Sequence, residues 1–165
     1  MIEPATERDT EIMREQLGRE LRGVVGVAAR YGDESPAVVA TQPRLPDGSP
    51  FPTFYYLTHP ELTIAASRIE AAGRMAELAE LLESEPVAAA YQRAHEAYIA
   101  DRDVHGHVEE VAGVSAGGMP TRVKCVHALI GHSLATGRGV NPIGDTALEW
   151  MGWDWQKRIL VTQEG

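Results

Sequence analysis

The residues of this chain best suited to chemistry gather between Ala116 and Asp145, AGGMPTRVKCVHALIGHSLATGRGVNPIGD. That stretch holds the glycine pair Gly117 and Gly118, the basic residues Arg122 and Lys124, the only cysteine, Cys125, and the histidines His127 and His132. A thiolate and an imidazole are ligands for zinc or iron. Backbone N–H groups behind a glycine pair, with two basic side chains, can hold a phosphate or carboxylate where a helix begins. Histidine can also move a proton near neutral pH.

One element must position these groups. Pro120 suits a first helical turn, and Gly137 and Gly139 follow the last periodic residue, so a helix is predicted over Thr121 to Thr136. Val123, Val126, Ile130 and Leu134 form one apolar stripe. At about 100° per residue, Cys125, Ala128, Leu129 and His132 fall on the opposite side, and His127 near the first stripe. A helix apolar on two sides belongs at the centre of a fold. On such a helix Cys125 and His127 point in different directions, which speaks against a nucleophile and base pair. Cys125 and His132 share a side but stand roughly 10 Å apart along the axis, too far for one metal ion. Cys125 with His59, from a strand-to-helix corner, is the metal pair the sequence allows, completed by Asp33 or a loop histidine. The plainer alternative is that Cys125 is an inert, buried small residue.

A second set lies on a helix predicted from Pro86 to about Asp103, where Tyr91, His95, Tyr98 and Arg102 recur along one stripe. Here His95 could exchange a proton and Arg102 hold a substrate carboxylate or phosphate. The same spacing also describes a packed face whose polar tips are hydrogen-bonded. The anion site expected from the sequence therefore comprises Gly117, Gly118, Arg122 and Lys124, with Tyr98 and Arg102 as its opposite wall. His95 and His132 are the candidate general bases, and His59 and Cys125 the candidate metal ligands.

The surrounding elements follow from period and punctuation. Thr6 to Leu17 reads as an exposed, peripheral helix ended by Gly18. Val24 to Ala29, Ala37 to Thr41 and Thr53 to Leu57 read as three strands in meander order, separated by turn-forming segments. Helices are predicted from Pro60 to Gly73, capped by Thr58, and over Met75 to Leu82 and Thr146 to Met151. Residues 104–119 form a long loop carrying His105, His107, Glu109 and Glu110. Trp150, Trp153 and Trp155 lead into a tail over 152–165. The expected fold is α+β, a small three-stranded antiparallel sheet packed against five or six helices, within one domain of 165 residues.

A net charge of -9 repels phosphate backbones, so nucleic acid is not an expected partner. One cysteine excludes an intrachain disulfide. The N-terminal residues are charged where a signal peptide would be apolar, and no apolar run reaches the roughly 20 residues of a membrane span. The expectation is a cytoplasmic protein with no membrane partner.

The blocks LGRELRGVVGVAARY, PRLPDGSPFPTFYYLTHPEL, SRIEAAGRM, AHEAYIADRD, GGMPTRVKCVHALIGHSLA and GVNPIGD resemble the bacterial domain-of-unknown-function family numbered five hundred and one, from about Leu17 to Asp145. The family is uncharacterised, and its members are often encoded near a septum-formation initiator and an exopolyphosphatase-like protein, company that assigns no reaction. The resemblance implies cysteines at the positions held here by Tyr31 and His59, as well as at Cys125. Three thiolates and an imidazole would suit zinc or an iron-sulfur group. This chain departs at two of those positions, and Tyr31 is a poor substitute for a thiolate, which weakens a zinc or iron site here.

From these residues the expected function is binding of a small anionic ligand, bearing phosphate or carboxylate, with or without a metal, around residues 121–136. The alternatives are a non-catalytic protein-protein interaction module using the three tryptophans, and a hydrolase or transferase with a histidine base. Oligomeric state and ligand identity stay open.

Overall fold

In a computed structural model, which describes residues 2–161, the chain forms an α+β fold with six helices and two small antiparallel sheets among those residues. Helix α1, Glu7–Leu17, starts from a capping box in which Thr6 accepts from the Asp9 N–H and Asp9 accepts from the Thr6 N–H, and it stops at Gly18. Strands β1 (Val24–Arg30), β2 (Pro36–Thr41) and β3 (Tyr55–Leu57) pair in the order β1-β2-β3, with Val27 opposite Val39 and Val39 opposite Tyr56. This is the meander expected from the strand spacing. Strand β2 is buried along its whole length, as befits the middle strand of a sheet covered by helices.

Helices α2 (Pro60–Ala71), α3 (Met75–Glu80) and α4 (Glu85–Asp103) follow, with a single 3-10 turn at Leu81–Glu83 before α4. Helix α5, Val126–Thr136, is the central element: Val126 and all of Ala128 to Ser133 are buried on it. It lies close against β3 because Gly131 has no Cβ; one placed there would stand 3.0 Å from the Tyr55 carbonyl oxygen. Helix α6, Pro142–Met151, is capped by the Asn141 side chain, which accepts from the Gly144 N–H at 3.0 Å.

Three boundaries differ from the sequence expectation. Helix α5 begins at Val126 and not at Thr121, because the preceding segment is turned back on the glycine pair: the Gly117 carbonyl accepts from the N–H groups of Lys124 and Cys125, and that of Gly118 from Arg122. Helix α6 starts at Pro142, earlier than expected. The tail is not featureless through 161, since β4 (Trp153–Asp154) and β5 (Ile159–Leu160) form a short hairpin tied to Tyr31, whose hydroxyl accepts from the Leu160 N–H at 3.0 Å. Residues 162–165 of the expected tail lie outside the described residues.

The long loop is tethered. Buried Arg102 donates to the carbonyls of Pro52 at 3.0 Å and Val111 at 2.7 Å, and Arg44 makes a two-point contact with Glu110. No helix among the described residues is long and apolar enough to cross a membrane.

Candidate active site

The late start of α5 changes the meaning of its first residues. Cys125 is the N-cap, with extended backbone angles (φ -137°, ψ 104°), so it stands outside the helix that carries His127. The divergence expected of residues two apart on a helix does not apply, and the two side chains converge. Opposite them, Ser67 and Glu70 project from the same face of α2, three residues apart. The Cys125 sulfur, a His127 ring nitrogen and a Glu70 carboxylate oxygen all lie within 4.8 Å of one another. His127 Nδ1 is 3.0 Å from Glu70 Oε1, and its Nε2 is 3.3 Å from Ser67 Oγ. The imidazole is thus held at both nitrogens beside a half-buried thiol.

The electrostatics favour a charged pair. The His127 imidazole draws the Cys125 thiol below its ordinary pKa against the opposing effect of burial, and the Ala128 backbone N–H acts in the same direction. His127 is raised in turn, first by its hydrogen bond with Cys125 and against the opposing effect of burial, with Glu70 adding to the rise. The first-turn N–H groups of α5 have no carbonyl partner within the helix, so this end favours negative charge.

The other expected site residues sit elsewhere. His59 caps α2, its Nδ1 accepting from the Glu61 N–H at 3.2 Å, and it stacks on Tyr31 at 3.9 Å between ring centroids. It takes the capping role expected of Thr58. His59 and Glu70 mark opposite ends of α2, about 16 Å apart along the axis, so His59 is not brought to Cys125. Tyr31 and His59, where the family resemblance implies cysteines, are neighbours of each other and form an aromatic stack.

Tyr98 and Arg102 are sealed within the fold: the Tyr98 hydroxyl accepts from the Tyr55 N–H at 3.0 Å, and Arg102 holds two backbone carbonyls. Tyr91 donates to the Arg122 carbonyl at 2.7 Å, and His95 Nδ1 meets the buried Ser115 hydroxyl at 2.7 Å. The stripe on α4 is a packed face with satisfied tips. His132 is fully buried, with Nδ1 3.1 Å from the Asn141 amide nitrogen, Nε2 without a partner and its pKa pushed down to about 4 by burial. A sealed, neutral imidazole of that kind has no route to a substrate.

Gly117 and Gly118 have positive φ (66° and 97°), and a Cβ on Gly118 would come within 2.8 Å of the Arg122 carbonyl oxygen. Their role is to close the turn that precedes Cys125. Arg122 and Lys124 are exposed, three residues and one residue before the thiol. Of the tryptophans, Trp153 is buried, and Trp150 and Trp155 each have an arginine over the ring, Arg74 at 3.8 Å and Arg138 at 5.5 Å.

Glu70, Cys125 and His127 are also the group among the described residues that could offer three ligand atoms to one metal ion. Both nitrogens of His127 face hydrogen-bonding partners, Glu70 and Ser67, so the imidazole gives up one of those contacts either to ligate a metal or to exchange a proton. Ser67 and Glu70 were missed from the sequence, because nothing local in α2 signals that its far end meets the start of α5.

A family model described as "Protein of unknown function (DUF501)" matches residues 27–149, most of the chain. The chain belongs to this family. In this family member the matched region runs from within β1 into α6, so it contains Ser67, Glu70, Cys125 and His127. No curated protein and no solved structure matches the chain.

Proposed function

We propose that the protein is a cysteine-dependent acyl transferase or hydrolase in which Cys125 is the nucleophile, His127 the acid and base, and Glu70 the group that orients His127. The observation that carries this is the convergence of the Cys125 sulfur with an imidazole fixed at 3.0 Å by Glu70, at the amino end of a helix. The thiolate adds to a carbonyl carbon, the bond to the leaving group breaks, and His127 gives that group a proton. Water or an acceptor hydroxyl then returns a proton to His127 as its oxygen displaces the thiol from the S-acyl intermediate. The N–H groups of Val126 and His127 stand next to the sulfur in the chain and suit the oxygen that becomes negative in each addition. The anionic ligand expected from the sequence enters here as the acyl donor, with exposed Arg122 and Lys124 contributing attraction next to the thiol.

The test is the alkylation rate of the sole cysteine by iodoacetamide against pH. A midpoint below the ordinary thiol value of about 8.5 supports the charged pair, and an ordinary midpoint overturns it.

A further inference from the structure

The three side chains that converge at the start of α5 are also a set of metal ligands. A Glu70 carboxylate oxygen, the Cys125 sulfur and a His127 ring nitrogen lie within 4.8 Å of one another, and they come from two separate elements. Around a tetrahedral zinc ion, bonds of about 2.0 to 2.3 Å put neighbouring ligand atoms roughly 3.4 to 3.8 Å apart. His127 Nδ1 and Glu70 Oε1, at 3.0 Å, need only move slightly apart to admit the ion. The widest separation the cluster allows has to close by about 1 Å, a change that side-chain torsions supply.

The second nitrogen of the imidazole is placed for the same task. His127 Nε2 stands 3.3 Å from Ser67 Oγ, so it can go on donating to that hydroxyl while Nδ1 binds the metal. Such an outer hydrogen bond fixes the tautomer and the ring direction of a metal-bound histidine. Of the two contacts His127 makes, only the one with Glu70 is given up, and Glu70 stays beside it as a ligand.

The donor set selects the ion. One sulfur and one imidazole favour zinc over magnesium or calcium, which prefer oxygen ligands. A thiolate and a carboxylate together balance the charge of a divalent cation, and a net charge of -9 favours its approach. The entry path is short, because Glu70 is exposed and Cys125 and His127 are half-buried. Three protein ligands leave one position of the zinc open to water.

We infer that Glu70, Cys125 and His127 form a zinc site, and that zinc and the acyl donor exclude each other there. On binding, the thiol proton leaves to solvent and the sulfur gives its electron pair to the metal. Cys125 is then withheld from a carbonyl carbon until zinc departs. The exclusion rests on Cys125 being the acyl-accepting nucleophile, whereas the binding of zinc does not.

Protein purified without a metal-affinity tag and stripped with EDTA is titrated with zinc chloride against a chromogenic zinc indicator. One zinc per chain should bind. Cys125→Ser and Glu70→Gln should each weaken it by about 10- to 100-fold or more, since loss of even an outer partner costs that much. His107→Ala, which alters an exposed histidine beside Asp103 and Glu109, should leave the affinity unchanged. Cobalt(II) in the wild-type protein should give a thiolate-to-metal charge-transfer absorption, a readout that needs no variant to fold. Saturating zinc should slow both iodoacetamide alkylation and nitrophenolate release from 4-nitrophenyl acetate by about 10-fold or more, with EDTA restoring both. Zinc well below one per chain, a cobalt spectrum without the charge-transfer band, or an affinity that survives Cys125→Ser overturns the site. One zinc bound with alkylation and ester turnover unchanged overturns the exclusion. A metal-free protein that iodoacetamide alkylates but that turns over no ester overturns acyl transfer, and the exclusion with it, while the zinc site stands.

Discussion

Two histidines on one helix face opposite fates. His127, in the first turn of α5, is half-exposed, bridged between Glu70 and Ser67, and carries a raised pKa beside a thiol. His132, five residues on, is fully buried against Tyr55 and Tyr98, holds one contact to Asn141, and is driven down to about 4. The residue type is the same and the backbone is the same helix. The difference lies in what lies opposite: an acid and a hydroxyl from α2 in one case, aromatic rings and an amide in the other. A histidine in a motif-rich stretch therefore says little until its neighbours across the fold are known.

The contrast can be broken or sharpened experimentally. Cys125→Ser should abolish both alkylation and acyl transfer, because no second cysteine exists to take over; residual ester turnover by the variant at the wild-type rate would move the chemistry elsewhere. His127→Ala should raise the thiol midpoint and slow alkylation at pH 7 by about 10-fold, with acyl transfer falling by roughly 100-fold as the acid and base is lost. His132→Ala should show the reverse pattern. It leaves the alkylation profile where it was and costs about 3 kcal/mol of stability through the cavity it opens, measured by urea unfolding at pH 7.

Protonation of His132 gives a smaller and pH-specific effect. Its pKa is about 4 when folded and near 6.5 when unfolded, so both states are neutral above pH 6.5 and its burial has no pH-linked cost there. As pH falls from 6.5 toward 4 the unfolded chain binds the proton first, and stability should drop by about 3 kcal/mol in total. His132→Gln should remove that part of the slope in unfolding curves taken at pH 7 and pH 4.5. Asp9 adds a separate loss at lower pH: the Arg30 guanidinium holds its carboxyl at about 2, so its contribution disappears only as pH falls from 3.8 toward that value. The smallest effect is expected of Glu70→Gln, which keeps the shape of the side chain but removes its charge. Acyl transfer should slow by only several-fold, with the His127 pKa moving down in an NMR titration.

Much of the scaffold was legible in the chain, and the candidate constellation around Cys125 was not. The meander of β1, β2 and β3 and the helices α1, α2 and α4 follow from β-branched runs, prolines in first turns and glycine stops, all of which act within a few residues. The start of α5 was misplaced because Pro120 mimics a first-turn proline and Val123 continues the helical period into a segment that is held by the Gly117 carbonyl instead. That shift overturned the geometric expectation that Cys125 and His127 diverge, since it placed the cysteine inside the helix and not at its cap. Glu70 and Ser67 were invisible for a different reason: their partners lie on another element, and no local period encodes which helices meet. For Tyr98 and Arg102 the spacing identified a shared stripe correctly but could not reveal that backbone carbonyls and N–H groups, not a ligand, meet their polar tips. The β4-β5 hairpin, with two residues per strand, is too short to leave an alternating pattern.

Gly118 carries neither charge nor reactive group, yet its bare Cα lets the following five residues fold under it. Any side chain there would push the 121–125 segment outward and allow the helix to start at a different residue. Each residue of such a slip turns the sulfur by about 100° around the helix axis, away from the imidazole. The meeting of Cys125 with His127 rests on a hydrogen atom seven positions upstream of the sulfur, which acts by deciding where winding begins.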